Sequence, residues 1–423
     1  MNINLKGKTV ALGVTGSISI YKACEVARLF IKAGANVHVI MSPAAKKFMA
    51  PLTFEALTRN PVLCDESESW ANEHNHIDIA KKCDILLIAP ATANTLNKLS
   101  KGIADNILLQ VALAFKGTIL VAPAANTQML NNHLTNGSLK MLKVNDMRII
   151  ASQKKLLACG DEGDGALAEP SEIFYNGAKA LLEEEFWIDR KIVVTGGGTR
   201  EKIDEVRYVS NFSSGKMAAS IATALYLKGA DVCYITTTDV SALPKDIYTI
   251  EIDSASEMHD YTIDAVRVAK KGKMSRSTLN NAEAPYMIMK QPYLFMVAAI
   301  ADFTPKYPQN CKIKKASVGD EWNISLKETQ DVLKNVNKDN LLTVGFKAEM
   351  DGERGLEHAI DALQAKGCDA ICYNLLQDSS SFGTDESTIT FVTNNDQVDL
   401  PKKSKIELAF DILDESVKLE NRE

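Results

Sequence analysis

Short apolar runs without polar alternation recur along this chain, and each ends in a turn of glycine, small or hydroxyl residues. In the first half they cover 8–12, 37–42, 83–90 and 117–126. Such runs are typical of strands covered on both faces, as in a parallel sheet, and the amphipathic stretch at 21–33 predicts a crossover helix. The pattern predicts a doubly wound α/β domain with ligand-binding loops at the carboxyl ends of its strands.

The same pattern begins again near residue 190. An apolar strand ends in the glycine cluster at 196–198, and a helical stretch at 213–229 precedes another strand. Further strands are predicted at 230–237, 293–302, 341–349, 368–376 and 388–395. The charged stretch before the second glycine cluster and the tail from Ser404 both have helical periodicity. We therefore expect two consecutive Rossmann-like domains, 1–189 and 190–423, that are not obvious sequence repeats.

Composition excludes several classes of protein. The 423 residues carry a net charge of −6, which argues against a nucleic-acid binder with a broad basic surface. The basic stretch 270–277 is best interpreted as a solvated loop. No apolar run approaches the ~20 residues of a membrane span, and the N-terminal stretch lacks the pattern of a signal peptide. We expect a cytoplasmic protein that binds neither nucleic acid nor membrane.

The eight cysteines are scattered and show no C-x-x-C spacing. That distribution predicts neither a disulfide framework nor a zinc ribbon. Most of these cysteines are expected to be small buried side chains, because a free thiol packs well in a core. Cys159, within the glycine-rich and acidic segment 158–165, stands apart from the rest.

Two glycine turns, at 13–19 and 196–198, suggest nucleotide sites, since amides and hydroxyls at a helix start suit phosphate. Neither turn matches G-x-G-x-x-G, so a strand-to-helix turn that needs glycine only for backbone freedom is the alternative. Polar segments also follow the later strands of the first half, at 89–106 and 123–129.

Four segments of the first half, ESWANEHNHIDIAKKCD, APATANT, PAANTQM and ACGDEGDG, resemble the homo-oligomeric flavin-containing cysteine decarboxylases. The resemblance is close to the phosphopantothenoylcysteine decarboxylases and covers about residues 5–175. It implies a flavodoxin-like fold, bound FMN and a catalytic role for His76. It also implies that Asn126 holds the substrate carboxylate, that Met129 contacts the substrate and that Cys159 donates a proton. The implied FMN-binding residues are Gly13, Thr15, Gly16, Ser17, Ser42, Ala91, Thr92 and Asn94.

The implied chemistry explains these residue types. A simple carboxylate does not lose carbon dioxide, because the resulting carbanion has no electron sink. Oxidation of the neighbouring thiol by FMN would create that sink, and the reduced flavin would later return a hydride. A thiol such as that of Cys159 can supply the final proton, since its surroundings tune its pKa. The family usually has methionine where this chain has Ala125, which predicts looser packing of the substrate.

The second half resembles the bacterial phosphopantothenate–cysteine ligases over about residues 190–415. The resemblance rests on the segment GGGTREKIDEVRYVSNFSSGKMA and on AAIAD, KIKK, TQDVL and GFKAE. It implies CTP and Mg²⁺ as well as 4′-phosphopantothenate and L-cysteine, joined through an acyl-cytidylate. In bacteria the two enzymes are commonly fused in this order, which supports both assignments.

The resemblance to the ligases also implies roles for individual residues of the second half. Asn211 and Lys312 are the implied catalytic residues, and Asp302 is the implied contact to nucleotide and magnesium. Arg207 suits a carboxylate or phosphate, and a second anion site is expected at Ser213, Ser214 and Gly215. The implied CTP-binding residues are Asp302, Lys312, Thr329, Gln330, Asp331, Val332, Phe346 and Lys366. Ala362 replaces the first lysine of the usual K-L-x-x-K, which predicts weaker binding of CTP or another cation in its place.

Two alternatives remain at this point. A pyridine-nucleotide oxidoreductase would have an acidic residue after the second strand of each domain, where this chain has serine and threonine. A flavoprotein scaffold with a non-catalytic second domain would not need Cys159, Asn126, Asn211 and Lys312. The resemblance also implies a large homo-oligomer built from trimeric flavin domains and paired ligase domains. The preference for CTP over ATP depends on the bacterial-type motifs, and the stretch 270–291 has no assigned role.

Overall fold

The computed structural model describes residues 3–156, 160, 162–279, 281, 283–314, 319, 321–376 and 383–420. They form two compact units. The first unit comprises Ile3–Glu183 together with Ser275–Tyr286, and the second comprises Glu184–Met274 and the chain from Met287 onward. Each unit contains one main sheet with helices packed against it.

The main sheet of the first unit is parallel and has the strand order β2-β1-β3-β4-β5. This is the flavodoxin-like order, so the predicted fold class is confirmed. The central strands are buried along nearly their whole length, which explains their continuous apolar sequence. The strands are β1 (Thr9–Val14), β2 (Asn36–Met41), β3 (Ile85–Ala91), β4 (Thr118–Pro123) and β5 (Arg148–Ile149).

Helices of the first unit begin at polar side chains that accept backbone N–H groups. Asn75, Thr92, Asn106, Asn126 and Asn132 cap five successive helices in this way. The helices are α1 (Ile20–Lys32), α2 (Pro51–Thr58), α3 (His76–Lys82), α4 (Ala93–Leu99), α5 (Ile107–Ala114), α6 (Thr127–Asn131), α7 (His133–Val144) and α8 (Pro170–Leu182).

A separate antiparallel hairpin follows the last strand of this sheet. Its strands are β6 (Gln153–Leu156) and β7 (Glu162–Ala166). Two glycines allow β7 to pass close to the start of α6. A Cβ on Gly163 would lie 1.9 Å from the Thr127 hydroxyl, and a Cβ on Gly165 would lie 1.8 Å from the Ala125 carbonyl oxygen. The hairpin therefore lies directly against the segment that contains Asn126.

The second unit has an eight-stranded sheet in the order β12-β11-β8-β15-β18-β19-β20-β21. Its first six strands are parallel, and β20 and β21 add an antiparallel hairpin at one edge. The strands are β8 (Lys191–Gly196), β11 (Asp231–Thr236), β12 (Tyr248–Glu251), β15 (Tyr293–Met296), β18 (Leu342–Glu349), β19 (Ala370–Leu375), β20 (Glu386–Thr393) and β21 (Gln397–Ser404).

Helices and short hairpins complete the second unit. The helices are α9 (Lys216–Leu227), α10 (Ala255–Ala269), α11 (Val332–Asn335), α12 (Gly355–Lys366) and α13 (Lys405–Val417). The short strands are β9 (Arg200–Lys202), β10 (Tyr208–Ser210), β13 (Lys273–Met274), β14 (Met287–Ile288), β16 (Phe303–Pro305) and β17 (Leu326–Glu328).

The strand predicted at 293–302 ends early, at Met296. The following residues leave the sheet because they bond to the glycine turn: Ala299 N–H donates to Gly197 O at 2.8 Å, and Thr199 N–H donates to Ala299 O at 3.3 Å. The apolar character of this segment reflects contact with a loop as well as pairing within the sheet.

The unit boundaries differ from the predicted junction at 189–190. The residues just before that junction pack within the second unit, where Trp187 is fully buried with its ring centroid 5.3 Å from that of Tyr293. The segment 275–286 belongs instead to the first unit, where Leu279 N–H donates to Val144 O at 2.9 Å. Part of the basic stretch predicted as a loop is strand β13, paired with β14.

Most of the cysteines in the described part of the chain are buried, as predicted. Cys64, Cys83, Cys368 and Cys372 are buried, and Cys311 is exposed. Burial raises the pKa of the Cys83 thiol to about 12, which keeps it protonated. Among the described residues, no helix is both long and apolar enough to cross a membrane.

One buried histidine makes the stability of the first unit depend on pH. Burial lowers the pKa of His38 to about 4, and the charges of Lys82 and His74 act in the same direction. Between pH 6.5 and 4 the unfolded chain therefore binds a proton that the folded chain does not. The free energy of unfolding should fall by about 2 kcal/mol from pH 7 to pH 5.

Calorimetry of the first unit's transition checks this expectation. His38→Gln should remove most of that pH dependence, whereas His133→Gln, at an exposed position, should keep it. An unchanged pH dependence in His38→Gln would contradict the assignment.

Candidate functional site

A cavity of about 750 Å³ opens at the carboxyl edge of the first sheet. We call it the first cavity. Its walls are formed by the turn after β1, by the starts of α4 and α6, and by the β6–β7 hairpin. The lining includes the predicted residues Gly16, Ser17, Thr92, Asn94, Asn126 and Met129. Six residues chosen from sequence thus meet in one place.

Thr15 holds two walls of the first cavity together although its own side chain is buried. Its hydroxyl donates to Pro90 O at 2.7 Å and accepts from Thr92 N–H at 3.1 Å. These bonds connect the end of β1 to the start of α4. Thr15 therefore supports the cavity from behind, a role that its position in the glycine turn did not reveal.

Small residues keep the wall of the first cavity flat. A Cβ on Gly16 would lie 2.6 Å from the Ala44 Cβ, so a larger residue in the turn would displace its neighbour. Ala93 and Ala124 also line the wall. Ser17, Thr92 and Asn94 add hydroxyl and amide groups at its rim. This arrangement suits a flat ring with polar edges.

Other residues predicted for this site lie elsewhere in the first unit. Gly13 packs beneath α5, where an added Cβ would lie 2.5 Å from Leu108 Cδ1. Ser42 and Ala91 are buried strand-end residues. Cys159 lies outside the described residues, between β6 and β7, whose strands lie against the Asn126 segment.

His76 lies outside the first cavity, at the start of α3. Its Nδ1 is 2.7 Å from Glu68 Oε1, and both side chains are about one quarter exposed. The bonds between Ser69 and His74, Ser69 N–H to His74 O and His74 N–H to Ser69 O, close the connecting turn and bring Glu68 back to the imidazole. A carboxylate on Nδ1 favours the tautomer whose Nε2 can accept a proton.

The second unit has a larger cavity of about 910 Å³ at the carboxyl edge of its sheet. We call it the second cavity. It contains most of the predicted nucleotide residues and the predicted catalytic asparagine. These residues are Asn211, Asp302, Thr329, Gln330, Asp331, Val332, Phe346 and Lys366. They come from five separate segments of the chain.

Bonds between loops set the shape of the second cavity. Asn211 Nδ2 donates to Ile300 O at 3.0 Å. The Thr329 hydroxyl donates to Ala301 O at 2.7 Å, and Thr329 N–H donates to Asp302 O at 2.9 Å. The loop that ends in Asp302 is therefore held from both sides, with its exposed carboxylate at the cavity.

Two lysines that line the second cavity are paired with carboxylates. Lys366 Nζ lies 3.6 Å from Asp331 Oδ2, and Lys347 Nζ lies 3.0 Å from Glu349 Oε1. Lys334 also lines this cavity. Ala362 lies on α12, at the position where a lysine was expected, and it packs against the hydrophobic core.

A small recess of about 130 Å³ adjoins the second cavity. Both are lined by Phe212, Phe346 and Lys347. The recess contains the predicted anion residues Ser213, Ser214 and Gly215, together with Lys216 at the start of α9. Gly215 has a positive φ of 68° and packs on Thr238, so the turn here requires glycine.

Arg207 and Lys312, both predicted for this site, are not among the described residues that line the second cavity. They lie on neighbouring loops that are joined through Ile313. The Arg207 guanidinium pairs with the buried carboxylate of Asp204 and also donates to Ile313 O at 2.8 Å. Lys312 is exposed on the loop that contains Ile313. In the described part of the chain, no group of three or more histidine, cysteine, aspartate or glutamate side chains could hold a metal ion.

Several lining residues were missed from sequence. Ala44, Lys155 and Leu156 line the first cavity, and Lys334 and Lys347 line the second. The alternating glycines 163 and 165 were a usable signal for the hairpin, because such spacing leaves one face of a strand without side chains. Lys347 lies directly after the predicted Phe346, and both line the second cavity, although simple strand alternation would place neighbouring side chains on opposite faces.

Two family models match the chain. The Flavoprotein model matches residues 2–179, and the model for the DNA/pantothenate metabolism flavoprotein C-terminal domain matches residues 187–419. The first cavity lies within the first match and the second cavity within the second.

Relatives are similar along nearly the whole chain. The coenzyme A biosynthesis bifunctional protein CoaBC of Haemophilus influenzae is 34% identical over 421 residues, which cover 98% of each chain. The protein of the same name from Bacillus subtilis is 35% identical over 420 residues, or 97% of each chain. A solved structure of the FMN binding protein AtHal3 is 33% identical, with 41% of this chain and 95% of that chain covered at a TM-score of 0.37.

The glycine cluster after β8 offers a test of the second cavity. A Cβ on Gly198 would lie 2.7 Å from the carbonyl oxygen of Asn211. Gly198→Ala should displace Asn211 and lower the free energy of unfolding by about 1–3 kcal/mol. Gly352→Ala is the matched control, because its Cβ would meet nothing within 4 Å, and it should change stability by less than about 0.5 kcal/mol. Denaturant unfolding measures both, and equal effects would contradict this account.

Proposed function

The chain belongs to the family of coenzyme A biosynthesis bifunctional proteins, and on that premise we propose that its two units catalyse consecutive steps. It is a bifunctional enzyme of coenzyme A biosynthesis with a ligase and a decarboxylase activity. In the proposal, the second unit joins 4′-phosphopantothenate to L-cysteine with CTP, through an acyl-cytidylate. The first unit then decarboxylates phosphopantothenoylcysteine to 4′-phosphopantetheine with FMN.

One observation supports this proposal most strongly. The chain has two carboxyl-edge cavities of different chemistry, each in the half that matches the corresponding family model. The first has flat walls of small residues with a polar rim. The second combines Asn211 and Asp302 with an aromatic ring and several lysines. Two separate substrates of different charge are therefore expected.

The residues of the first cavity fit FMN. Gly16, Ala44 and Ala93 leave room for a flat ring, and Thr92 and Asn94 can bond its edges. The start of α1 offers backbone amides to a phosphate. When bound, FMN supplies the redox chemistry that makes loss of carbon dioxide possible.

The chain's own residues would orient and protonate the decarboxylase substrate. At the cavity, Asn126 would hold the substrate carboxylate and Met129 would contact the substrate, and Cys159 would give up a proton. His76, supported by Glu68, lies outside the cavity of its own unit. Assembly into a homo-oligomer is therefore part of the proposal, because a second copy could bring its His76 to this cavity.

In the ligase, Phe346 and the segment 329–332 would hold the nucleotide, and Ser213–Gly215 would bind phosphate. Mg²⁺ is usually held by one or two carboxylates together with substrate phosphates. Asp302 fits that role, which requires no cage of protein ligands. Lys366 remains to contact phosphate, and Lys347 or Lys334 is suited to replace the lysine absent at Ala362. The amide of Asn211 would orient the acyl group for attack by cysteine.

Reconstitution tests the whole proposal. Purified protein should show a flavin spectrum. With phosphopantothenate, cysteine, CTP and magnesium it should release CMP, pyrophosphate and carbon dioxide. Absence of CMP would exclude the ligase, and absence of carbon dioxide would exclude the decarboxylase. A parallel reaction with ATP measures the nucleotide preference, and reduction of a nicotinamide cofactor would favour the oxidoreductase alternative.

Asn211→Asp separates the two half-reactions of the ligase. The substitution replaces the donor to Ile300 O with a carboxylate. It thereby places a negative charge close to the acyl oxygen, on which negative charge develops during the reaction. Acyl-cytidylate should still form, while its conversion by cysteine should fall by about 100-fold or more. Quenched reactions with labelled CTP would show the accumulated intermediate.

The control for this variant is Asn395→Asp, in the exposed turn between β20 and β21. It should turn over at the wild-type rate. Full turnover by Asn211→Asp would refute the catalytic assignment of this residue.

A further inference from the structure

A fully buried carboxylate, that of Asp204, lies in the loop between β9 and β10. Its Oδ1 accepts from the backbone N–H groups of Val206 and Arg207, each at 2.8 Å. Its Oδ2 accepts from Arg207 Nε at 3.0 Å and from Ile313 N–H at 3.1 Å. A buried charge is tolerated only when it is paired and hydrogen-bonded, and both oxygens of Asp204 satisfy this condition.

Ile313 is held at both of its main-chain polar groups. Its N–H donates to Asp204, and its carbonyl oxygen accepts from Arg207 Nη2 at 2.8 Å. The Arg207 guanidinium also lies over the Trp322 ring, 4.4 Å from its centroid. One ion pair thus clamps the backbone of one residue in a separate loop, and we call Asp204, Arg207 and Ile313 the clamp.

A second main-chain bond fixes the same loop. Gln309 N–H donates to Ile203 O at 3.0 Å, next to Asp204. Lys312 lies between these two attachment points, and its side chain takes part in none of the clamp's bonds. The loop is therefore fixed through its backbone while the exposed lysine is left available to a ligand.

We propose that Asp204 is the positioning residue for Lys312, acting through Arg207 and the backbone of Ile313. This inference rests on the proposed ligase function for the role of Lys312, but the clamp itself does not. In this proposal Arg207 has a role that the sequence did not suggest. Two of its guanidinium nitrogens bond protein atoms and so hold the loop that contains the catalytic lysine.

The clamp is intact at neutral pH. The Arg207 guanidinium beside Asp204 holds the pKa of that carboxyl well below its usual range. The stabilisation is therefore fully present above the usual aspartate pKa and is lost only as the pH falls through the lowered value. At neutral pH the ionised carboxylate therefore keeps its bonds to Arg207 and Ile313.

Trypsin reports directly on the clamp, because it cleaves after Lys312 when the loop opens. The full-length wild-type protein should be cut slowly at the Lys312–Ile313 bond. Asp204→Asn removes the charge that holds both Arg207 and Ile313, so cleavage there should be about tenfold faster. Mass spectrometry of the fragment that begins at Ile313 measures the rate, and other tryptic sites serve as internal standards.

The matched control is Glu201→Gln. Glu201 is also a buried acid in this segment, but its carboxylate accepts from Ala255 N–H at 2.8 Å, away from the Lys312 loop. The Glu201→Gln variant should be cut at the wild-type rate. Arg207→Gln removes the donor to Ile313 O and should therefore also be cut faster than wild type. It replaces Asp204→Asn as the test variant if Asp204→Asn does not fold. Equal rates in wild type and the clamp variants, or equally fast cleavage of Glu201→Gln, would overturn the proposal.

Kinetics add a readout that general loss of structure would not reproduce. Asp204→Asn should lower kcat for CTP-dependent formation of the acyl-cytidylate by about 10–100-fold and leave the KM for cysteine unchanged. An unchanged kcat would overturn the role assigned to Asp204. Failure of the proposed function is distinguishable, because a wild-type protein that forms no CMP would still show the cleavage pattern.

Discussion

Threonine hydroxyls that bond the main chain of neighbouring loops hold both carboxyl edges in shape. Thr15 joins the turn after β1 to the start of α4 through Pro90 O and Thr92 N–H. In the second unit, Thr199 accepts from Ala301 N–H at 3.0 Å, and Thr329 donates to Ala301 O at 2.7 Å. A loop at a sheet edge has few regular main-chain partners, so these side chains fix it, and Thr329 does so while also lining the second cavity.

Close approach of backbone is the second requirement that both cavities share. Gly165 lets the β6–β7 hairpin lie against Ala125, and Gly198 lets the Asn211 segment lie against the glycine cluster. In each case an asparagine predicted for the site, Asn126 or Asn211, lies within or beside the segment that the glycine admits. These glycines act by bringing two stretches of chain together.

The two cavities differ in the charges of their lining residues. The first is lined mainly by small residues and neutral donors, and Lys22 and Lys155 add positive charge. The second combines carboxylates and lysines that pair with one another, as Lys366 does with Asp331 at 3.6 Å. Such pairs reduce the repulsion between the lysines that are gathered at a cavity suited to a polyanion. The clamp of Asp204 and Arg207 extends this arrangement to the loop of Lys312.

The sequence by itself determined the two α/β units, most strands of each sheet and the glycine turns, because burial on both faces of a parallel strand leaves an uninterrupted apolar run. The strands β5, β12 and β21 were not predicted. The motifs also singled out Asn126, Asp302 and Phe346, which the structure places at the two cavities. Only the tertiary structure decided that Gly13 packs beneath α5, that segment 275–286 joins the first unit, and that Arg207 holds the backbone of Ile313. These contacts join residues as far apart as Arg207 and Ile313, and local pattern cannot specify them because they depend on how separately formed elements meet.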